Sequence, residues 1–561
     1  MRTFLFAALA LLAMLCPFRT EAQSALYATG PFNNWNSNDC LPFQPGSDGI
    51  FRLSIDFSSS REFKMSTTRG DWKAFDVGAL KPTSTPAVDA WTAIEHNSSG
   101  NITAPAAERL TVEVDLKAMR MRYTRTPLPA YSGTLPLLYI NTENDAPITS
   151  KETYLNASYW LDPMGHADVE ALGSEDAPLA MQIRGRGNYT WTGFDKKPYR
   201  IKLADKQPML GMKSSKHFVL LAHADDRIGF MRNTLGFAAS RALGLAWTPA
   251  QRPVEVVLNG DYIGLYFMTE NIRVDKNRVN VTEQQDLATT DVDGGWLVEI
   301  DNYDADPHVT VMEGSYPVWF TYKSPEELST QQHDYLQSQM QGVQDAIAAH
   351  DYAAFSALVD PEALARYYIV QEIMNDYESF HGSCYLFRQR GDAERWIFGP
   401  VWDFGSALFA DGTERFIWDS PQYHQVWIGA IYAAFPEFVD TVKAVWASYL
   451  GADGPAAIEA EGRAFASDIA AAAVADYRRW PQYGNADEAA ASAIALSRLG
   501  AKTAWLKTRW GSQGGITEAD ADASDAPAEY YTLTGLRLAG PQPGLCIERR
   551  GTTVRKLYIR P

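Results

Sequence analysis

The spacing of hydrophobic residues changes along the chain from a strand-like pattern to a helix-like pattern. Short apolar runs bounded by Gly, Asn, Asp and Pro recur between residues 26 and 322, as expected of β-strands. From Gln331 to Met374, and again from about Val426 to Trp510, apolar residues recur at helical spacing. Strands that come first and helices that follow predict an α+β fold.

The strand-rich part begins with a unit that we predict to be a small all-β domain over residues 24–126. Its apolar runs, such as Ile50 to Ile55 and Leu110 to Leu116, are short and are separated by turn residues. This pattern is typical of an Ig-like β-sandwich. The next segment, Pro127 to Ser132, contains two prolines and is typical of a linker.

A second domain is predicted over residues 135–510. It opens with further strands and one helix, Arg232 to Leu243, and Asn259-Gly260 between apolar runs indicates a β-hairpin. A second hairpin is predicted from strand candidates Cys384 to Phe387 and Arg395 to Gly399, which flank a short polar turn. The helical segments then form a lobe behind this second hairpin.

The first residues are typical of an export signal. Arg2 supplies a charge, Phe4 to Leu15 an apolar core, and Thr20-Glu21-Ala22 a cleavage site, which predicts a signal peptide over residues 1–22. The apolar run is too short for a permanent anchor, and no other segment has a transmembrane pattern. Cys16 leaves lipidation open. We expect an exported protein in the periplasm, on the cell surface or outside the cell.

The last residues form two further segments. Residues 511–529 are acidic and rich in small side chains, as expected of a flexible linker. Residues 530–561 predict a β-strand tail that ends in a basic strand, Val554 to Leu557. This tail resembles the C-terminal sorting domain of Bacteroidetes proteins exported by the type IX system. A β-hairpin that closes the fold is the alternative.

The charge balance excludes some partners. The chain has 68 acidic and 50 basic side chains, a formal net charge of -18, and no basic run long enough for a nucleic-acid patch. Nucleic acid is therefore excluded as the main partner, and a phosphate-bearing substrate needs a locally basic pocket. After removal of the signal peptide three distant cysteines remain, which is neither a disulfide framework nor a CxxC metal site.

Acidic residues flank the second predicted hairpin. Asp376 and Glu378 precede its first strand, and Asp403 follows its second strand. Because antiparallel strands bring their ends together, we expect these carboxylates to lie close in space. Carboxylates in such a place suit a divalent metal or a general base. The alternative is that Asp376 and Asp403 only cap turns through local hydrogen bonds.

Candidate anion-binding cations occur in two neighbouring segments. Arg184 and Arg186 stand among glycines directly after a strand, where backbone amides and guanidinium groups suit phosphate or carboxylate. Strand alternation places Arg200 and Lys202 on one face of the next strand. The alternatives are a turn whose arginine pairs with a neighbour and an ordinary solvated strand face.

Three further residues are candidates for polar roles in apolar surroundings. Glu270 and Glu299 lie in apolar strands, where a carboxylate needs a partner. Lys202 or Arg186 would be natural partners, and such a pair could hold Lys202 in place. His381 lies beside the acidic pair and is a candidate ligand or base. A histidine that only packs or hydrogen-bonds is the alternative.

Tryptophans in the first domain are candidates for carbohydrate binding. The segment Tyr27 to Asn36 resembles the first strand and loop of Ig-like starch-binding modules of Bacteroidetes outer-membrane proteins. Trp35, Trp72 and Trp91 would then form a platform that stacks on sugar rings, with Trp35 and Trp72 as the main candidates. The alternative is that some of them are buried in the core, since tryptophan is mostly buried.

The second domain resembles the CotH kinase family, which consists of atypical protein kinases. The resemblance runs from about Leu135 to about Trp510 and depends on six motifs in family order. These motifs are I-R-G-R-G-N (183–188), K-K-P-Y-R-I-K-L (196–203), M-R-N-T-L (231–235), N-G-D-Y-I-G-L-Y-F-M-T-E (259–270), G-G-W-L-V-E-I-D-N-Y (294–303) and F-G-P-V-W-D-F (398–404).

The resemblance implies roles for individual residues. Lys202 would hold the phosphates of ATP and Arg186 would support the same pocket, with Glu270 beside them. Asp403 would bind Mg²⁺ (or Mn²⁺), as the metal-binding aspartate of a kinase does. Asp376 or Glu378 would be the catalytic acidic residue.

The chain departs from the family pattern at two places. The segment Asp376-Tyr377-Glu378 does not reproduce the N-x-D pattern of the family, and Gly405 stands where the family often has a second aspartate. Losing one oxygen ligand should weaken the binding of a divalent ion.

Two functions are therefore expected as alternatives. The first is a metal-dependent kinase that transfers phosphate from ATP to a protein or other extracellular acceptor. The second is a catalytically weak or inactive surface scaffold of the same fold, which binds a surface glycan through the first domain.

Overall fold

The computed structural model describes most of the chain. The described residues are 25–33, 35–57, 60–70, 72–77, 79–96, 100–106, 109–125, 131–302, 306–391, 393–410, 413–485, 487–511, 528–532, 535–550 and 553–559. The predicted signal peptide and most of the predicted acidic linker lie outside these residues.

The N-terminal region is built of β-strands with one short helix, α1, Trp72–Val77. The strands are β1 Tyr27–Thr29, β2 Leu41–Pro42, β3 Gln44–Pro45, β4 Phe51–Asp56, β5 Glu62–Ser66, β6 Ala79–Pro82, β7 Thr92–His96, β8 Ile102–Thr103, β9 Arg109–Asp115 and β10 Arg120–Arg125. They pair in the order β2-β1-β5-β6-β7-β10-β9-β4-β3, with β8 on β5. Alternate residues such as Leu53, Phe63 and Val112 form one buried core.

A closed seven-stranded barrel follows. Its strands are β11 Leu137–Thr142, β12 Leu155–Asp162, β13 Leu179–Gly185, β14 Tyr199–Gln207, β15 Ser215–Leu221, β16 Gln251–Leu258 and β17 Asp261–Glu270. The order β11-β12-β13-β14-β15-β17-β16 closes through the parallel pairing of β16 with β11. The predicted hairpin is confirmed: Leu258 pairs with Asp261, and Asn259 and Gly260 have φ angles of 50° and 77°.

A second, five-stranded sheet carries the other predicted hairpin. Its strands are β18 Trp296–Asp301, β19 His308–Glu313, β20 Tyr316–Ser324, β21 Cys384–Arg388 and β22 Ile397–Phe398, in the order β19-β20-β18-β21-β22. In the predicted hairpin Leu386 pairs with Phe398. The sheet therefore inserts β21 beside β18, so the segments that flank the hairpin lie next to the end of β18.

Helices make up most of the rest of this part. They are α2 Tyr189–Gly193, α3 Met231–Ala242, α4 Thr330–Ala348, α5 Tyr352–Leu358, α6 Pro361–Met374, α7 Ile428–Ala434, α8 Pro436–Gly451, α9 Gly454–Arg479 and α10 Glu488–Trp510. Local sequence fixes several ends: Ser329 and Gln332 form a capping box at α4, and Asp360 caps α6 ahead of Pro361.

One apolar core joins the barrel to the helices. The outward side chains Val219 of β15 and Leu265 and Phe267 of β17 are buried in the same cluster as the apolar faces of α3, α6, α8, α9 and α10. The inward side chains of the barrel, among them Ile201 and Leu203, form a separate core. One outer side of the barrel is therefore covered by helices, while Arg200 and Lys202 on β14 point away from the barrel interior.

The C-terminal strands form a small sheet of their own. They are β23 Glu529–Tyr531, β24 Arg537–Leu538, β25 Gly544–Arg550 and β26 Thr553–Ile559, in the order β24-β23-β25-β26. Among the described residues, no helix has the length and apolar character needed to cross a membrane. The molecule is thus a mixed α+β protein with a β-strand region at its N-terminus.

Candidate functional site

The end of α6 positions the first candidate carboxylate. Asn375 ends the helix in a left-handed conformation, with φ 48°, and the Asp376 N–H donates to the Gln371 carbonyl at 3.1 Å. Ser379 Oγ donates to the Asp376 carbonyl at 2.8 Å, and Asp376 is only 1% exposed. Burial, reinforced by the charges of Glu378 and Asp403, raises the pKa of Asp376 well above its usual value.

Glu378 is more accessible than Asp376 and is held at both carboxylate oxygens. Ser406 Oγ donates to Glu378 Oε2 at 2.7 Å, and Asn302 Nδ2 donates to Oε1 at 3.4 Å. The side chain is half-buried. Burial and the nearby charge of Asp403 raise the pKa of Glu378, while the two hydrogen bonds oppose that rise. Glu378 thereby links the segment before the hairpin to the segment after it.

Asp403 comes from the other end of the hairpin, as expected. Its backbone is left-handed, with φ 55°, and the next N–H, that of Phe404, donates to Asn233 Oδ1 on α3 at 3.2 Å. Phe404 is fully buried against Gly236 of α3, where any side chain would overlap its ring. Because Phe404 is anchored, the exposed Asp403 carboxylate is held in the electrostatic neighbourhood of Asp376 and Glu378. The predicted convergence of the two acidic segments is therefore found.

Asp225 joins this group and was missed in the sequence. It lies between β15 and α3, in a stretch with no recognisable catalytic spacing. A Cβ on Gly405 would lie 3.3 Å from Asp403 Oδ1 and 3.4 Å from Asp225 Oδ2. Burial and the charges of Asp226 and Asp403 raise the pKa of Asp225 to about 6. The M-R-N motif was the available signal, since it marks the start of α3 at Met231, six residues after Asp225.

Arg232 is a buried cation next to these acids. Its Nη1 donates to the Asp225 carbonyl at 3.2 Å, and its guanidinium lies 5.4 Å from the Phe409 ring. Its charge lowers the pKa values of Asp225 and Asp376, against the larger effect of burial. Arg232 thus offsets part of the negative charge in a site that is otherwise acidic.

Arg186 reaches the same site from the barrel. Its guanidinium lies 5.9 Å from the Trp402 ring, and burial lowers its pKa while the charge of Asp403 opposes that shift. The positive charge of Arg200 also acts on Arg186. The structure therefore brings Arg186 and Asp403, two of the residues singled out in the sequence, into one electrostatic neighbourhood.

Lys202 lies on β14, on a positively charged face of the barrel. It is exposed and lies between Gln182 of β13 and His217 of β15. The pKa of His217 falls to about 4, first because of burial and then because of the charges of Arg273, Lys202, Arg278 and Arg200. Arg200, Lys202 and Arg273 give a locally basic surface in an acidic chain, while Arg278 is buried. Sequence reasoning found Arg200 and Lys202 but missed the two arginines that follow β17.

The partners expected for Glu270 and Glu299 were wrong. Glu270 Oε1 lies 3.7 Å from Arg278 Nε, and Glu270 Oε2 accepts from the Ala250 N–H. Glu299 Oε2 lies 2.9 Å from Lys323 Nζ. Local geometry explains both, since Arg278 follows β17 by a few residues and Lys323 is a diagonal neighbour of Glu299 on β20. Glu270 therefore does not fix Lys202.

His381 and Trp91 have neighbours that explain them without a ligand. The His381 ring stacks on Tyr423 at 4.9 Å. Trp91 is covered by Arg120 and Arg122, whose guanidinium groups lie 4.4 and 4.6 Å from its ring. Trp91 thus packs against two arginines of β10.

Trp35 and Trp72 do lie together. Their ring centroids are 6.2 Å apart with an interplanar angle of 32°, and Trp72 is 44% exposed. Lys64 Nζ lies 5.4 Å from the Trp72 ring. The pair forms a small aromatic surface flanked by a cation.

In the described part of the chain, no three His, Cys, Asp or Glu side chains form a ready-made metal site. One oxygen of Asp225 and one of Asp403 lie near the same point beside Gly405, and Glu378 and Asp376 are close enough to affect one another electrostatically. Any divalent ion at Asp403 would therefore need further oxygen ligands, such as water or phosphate.

These elements define a class of α+β protein in which carboxylates from three loops come together near Arg186 of the barrel. Comparison with protein families gives the assignment: residues 183–502 match the family described as CotH kinase protein. The match covers more than half of the chain, and the chain belongs to this family.

Other comparisons add little. A comparison with curated proteins found no match. Among solved structures, the chain matches SusF from Bacteroides thetaiotaomicron with 10% identity and a TM-score of 0.17, over 35% of this chain and 50% of that chain. A similarity of this size carries no argument about fold or function.

Proposed function

We propose that the protein is a metal-dependent phosphotransferase that moves the terminal phosphoryl group of ATP to a hydroxyl group of a protein or other extracellular acceptor. The observation that carries the proposal is the convergence of Glu378 and Asp403 from the two ends of one hairpin, with Arg186 beside them. Such a site combines a proton acceptor, an oxygen ligand and a cation, which are the parts that phosphoryl transfer requires. The extracellular acceptor follows from the predicted signal peptide.

The donor set around Asp403 fits Mg²⁺ or Mn²⁺. Carboxylate oxygens are the ligands that these ions prefer, and Mg²⁺ usually takes one or two of them together with water and substrate phosphates. The oxygens of Asp403 and Asp225 face the same space beside Gly405. When bound, the ion would neutralise charge on the phosphates of ATP.

The cations of the barrel would bind the phosphates. Arg186 lies nearest to Asp403, and Arg200 and Lys202 extend the positive surface along β14. Phosphate oxygens are bound well by paired guanidinium donors, and lysine adds a point charge. Glu270 stays in the neighbourhood as a structural partner of Arg278, which is one of the cations around His217.

Glu378 is the better candidate for the base. It is half-buried, whereas Asp376 is 1% exposed and accepts a hydrogen bond from the Glu378 N–H at 3.2 Å. We assign Glu378 to accept the proton of the acceptor hydroxyl. The oxygen of that hydroxyl forms the bond to the γ-phosphorus of ATP, and the bond between this phosphorus and the leaving ADP oxygen breaks. Asp376 would then be a positioning residue that holds the turn on which Glu378 lies.

The test is transfer of label from γ-labelled ATP in the presence of Mg²⁺ or Mn²⁺, with the purified protein as its own acceptor. Asp403→Asn should abolish labelling, because it removes a charged metal ligand while keeping the shape of the side chain. Asp205→Asn is the matched control, since Asp205 is an exposed aspartate at the far end of β14. Labelling that survives in Asp403→Asn, or none in the wild type with either metal, would contradict the proposal.

A second candidate function is glycan binding by the N-terminal region, favoured by the pairing of the half-buried Trp35 with the exposed Trp72. Two tilted rings at this separation could each pack against one of two consecutive sugar rings, whose faces carry apolar C–H groups. The full-length protein should be retarded in gels that contain soluble starch, and Trp72→Ala should move freely. Equal retardation of both proteins, or none of the wild type, would count against starch binding there. If labelling fails and retardation is seen, the surface scaffold is the better description.

A further inference from the structure

Gly405 lies between two carboxylates that come from distant parts of the chain. A Cβ at this position would be 3.3 Å from Asp403 Oδ1 and 3.4 Å from Asp225 Oδ2. The two oxygens therefore face one small space, which a side chain at residue 405 would otherwise fill. The absence of a side chain leaves this space open to a ligand.

Asp225 differs from its neighbour Asp226 in how its carboxylate is used. Asp226 accepts the N–H groups of Ile228 and Arg232 at 3.2 and 2.9 Å, so it serves the start of α3. Among the described residues no other residue donates a hydrogen bond to the Asp225 carboxylate and no cation forms an ion pair with it, because Arg232 donates to its carbonyl instead.

Asp225 is partly buried and Asp403 is exposed, and two carboxylates that share one small space repel each other unless a cation lies between them. Burying a charge costs free energy unless it is paired or coordinates a metal. The charge of Arg232 offsets part of this repulsion, and a divalent cation between Asp225 and Asp403 would offset the rest. The position of Asp225 at Gly405 is a separate feature from the meeting of Glu378 and Asp403 at the ends of the hairpin.

We propose that Asp225 is the second protein ligand of the divalent ion bound by Asp403, and that it takes the place of a ligand that residue 405 lacks. This inference rests on the proposed function, since it names a further residue of the same metal site. The open space at Gly405 lets a carboxylate from the loop before α3 supply the oxygen that a side chain two residues after Asp403 would supply in another chain.

The experiment is a Mn²⁺ titration followed by electron paramagnetic resonance, with the full-length protein and a non-hydrolysable ATP analogue. Asp225→Asn should weaken Mn²⁺ binding by tenfold or more, in line with the loss of one charged oxygen ligand. Asp205→Asn should bind like the wild type. The double variant Asp225→Ala with Gly405→Asp should bind more tightly than Asp225→Ala alone, because the new carboxylate enters the space that Asp225 has left.

The outcomes separate this inference from the proposed function. Weaker binding in Asp225→Asn together with recovery in the double variant supports Asp225 as a ligand. If Asp403→Asn loses Mn²⁺ while Asp225→Asn stays within twofold of the wild type, Asp225 is not a ligand but the proposed function stands. If the wild type binds no Mn²⁺ with the nucleotide analogue, both the role of Asp225 and the proposed function are wrong. Thermal unfolding of each variant reports folding, and Asp225→Asn keeps the shape of the side chain.

Discussion

The side-chain ammonium of Lys196 lies 2.8 Å from the carboxylate of Asp476, and both side chains are almost completely buried. Lys196 belongs to the segment that leads into β14, while Asp476 belongs to α9. Asp476 Oδ1 also accepts the Leu265 N–H of β17 at 2.8 Å. Burial lowers the pKa of Lys196 and raises the pKa of Asp476, and the attraction of each for the other opposes these shifts. The pair fixes α9 to the barrel.

Lys196→Met should therefore destabilise the protein strongly. It leaves the Asp476 carboxylate buried without its cation, and breaking such a pair from one side costs about 3–5 kcal/mol. The double variant Lys196→Met with Asp476→Asn should recover much of this loss, because Asn keeps an acceptor for the Leu265 N–H. Urea unfolding of the three proteins gives the free energies. A single variant as stable as the wild type would show that the pair contributes little.

Gly236→Ala should impair both stability and phosphoryl transfer. Its Cβ would overlap the Phe404 ring, which anchors the turn that carries Asp403. Overpacking of this kind costs about 1–3 kcal/mol. Gly500→Ala is the control, since Gly500 lies within α10 and its Cβ would meet no atom within 4 Å. That change should stabilise the helix by about 0.5–1 kcal/mol. Thermal unfolding and labelling from ATP measure both; equal effects of the two changes would argue against the anchor.

Ser406→Ala should slow phosphoryl transfer without unfolding the protein. The hydroxyl donates to Glu378 Oε2 at 2.7 Å and orients the carboxylate that we assign as the base. Poor orientation of a catalytic group typically costs between about tenfold and a hundredfold in rate. Ser406→Thr keeps a hydroxyl and should keep most of the rate. The labelling rate at saturating ATP measures the loss. An unchanged rate in Ser406→Ala would show that the hydrogen bond from Ser406 to Glu378 is not needed for phosphoryl transfer.

Glu488→Gln should stabilise the protein above neutral pH. Burial raises the pKa of Glu488 to about 7 from 4.5, and the charges of Asp226 and Asp476 add to that rise. Because the folded-state pKa is raised, the ionised form is disfavoured on folding, so the penalty is full above pH 7 and fades as the pH falls from 7 towards 4.5.

The variant should gain about 2 kcal/mol at pH 8, at about 1.4 kcal/mol for each pKa unit and with allowance for partial exposure. Below pH 4.5 its stability should match that of the wild type. Melting temperatures from pH 4 to pH 8 give the profile, and a loss of stability at pH 8 would show that the Glu488 charge is needed.

Local patterns in the sequence determined much of the fold. Apolar runs located six of the seven barrel strands but missed β12, Leu155–Asp162. Asn259-Gly260 located a hairpin, and the caps at Ser329 and Asp360 fixed helix starts, because each of these depends on neighbours in the chain. The same reasoning placed Asp376, Glu378 and Asp403 together, since a hairpin joins their segments and brings its two ends close.

Only the tertiary structure decided which distant side chains meet. Asp225 faces Asp403 because α3 packs on Phe404, Glu270 pairs with Arg278 rather than Lys202, and Trp91 is covered by two arginines. The physical reason is that these contacts depend on how helices and sheets pack over long separations in sequence. Hydrophobic spacing indicates which side of a helix or strand is buried, but it does not indicate which charged residue of another element lies beside it.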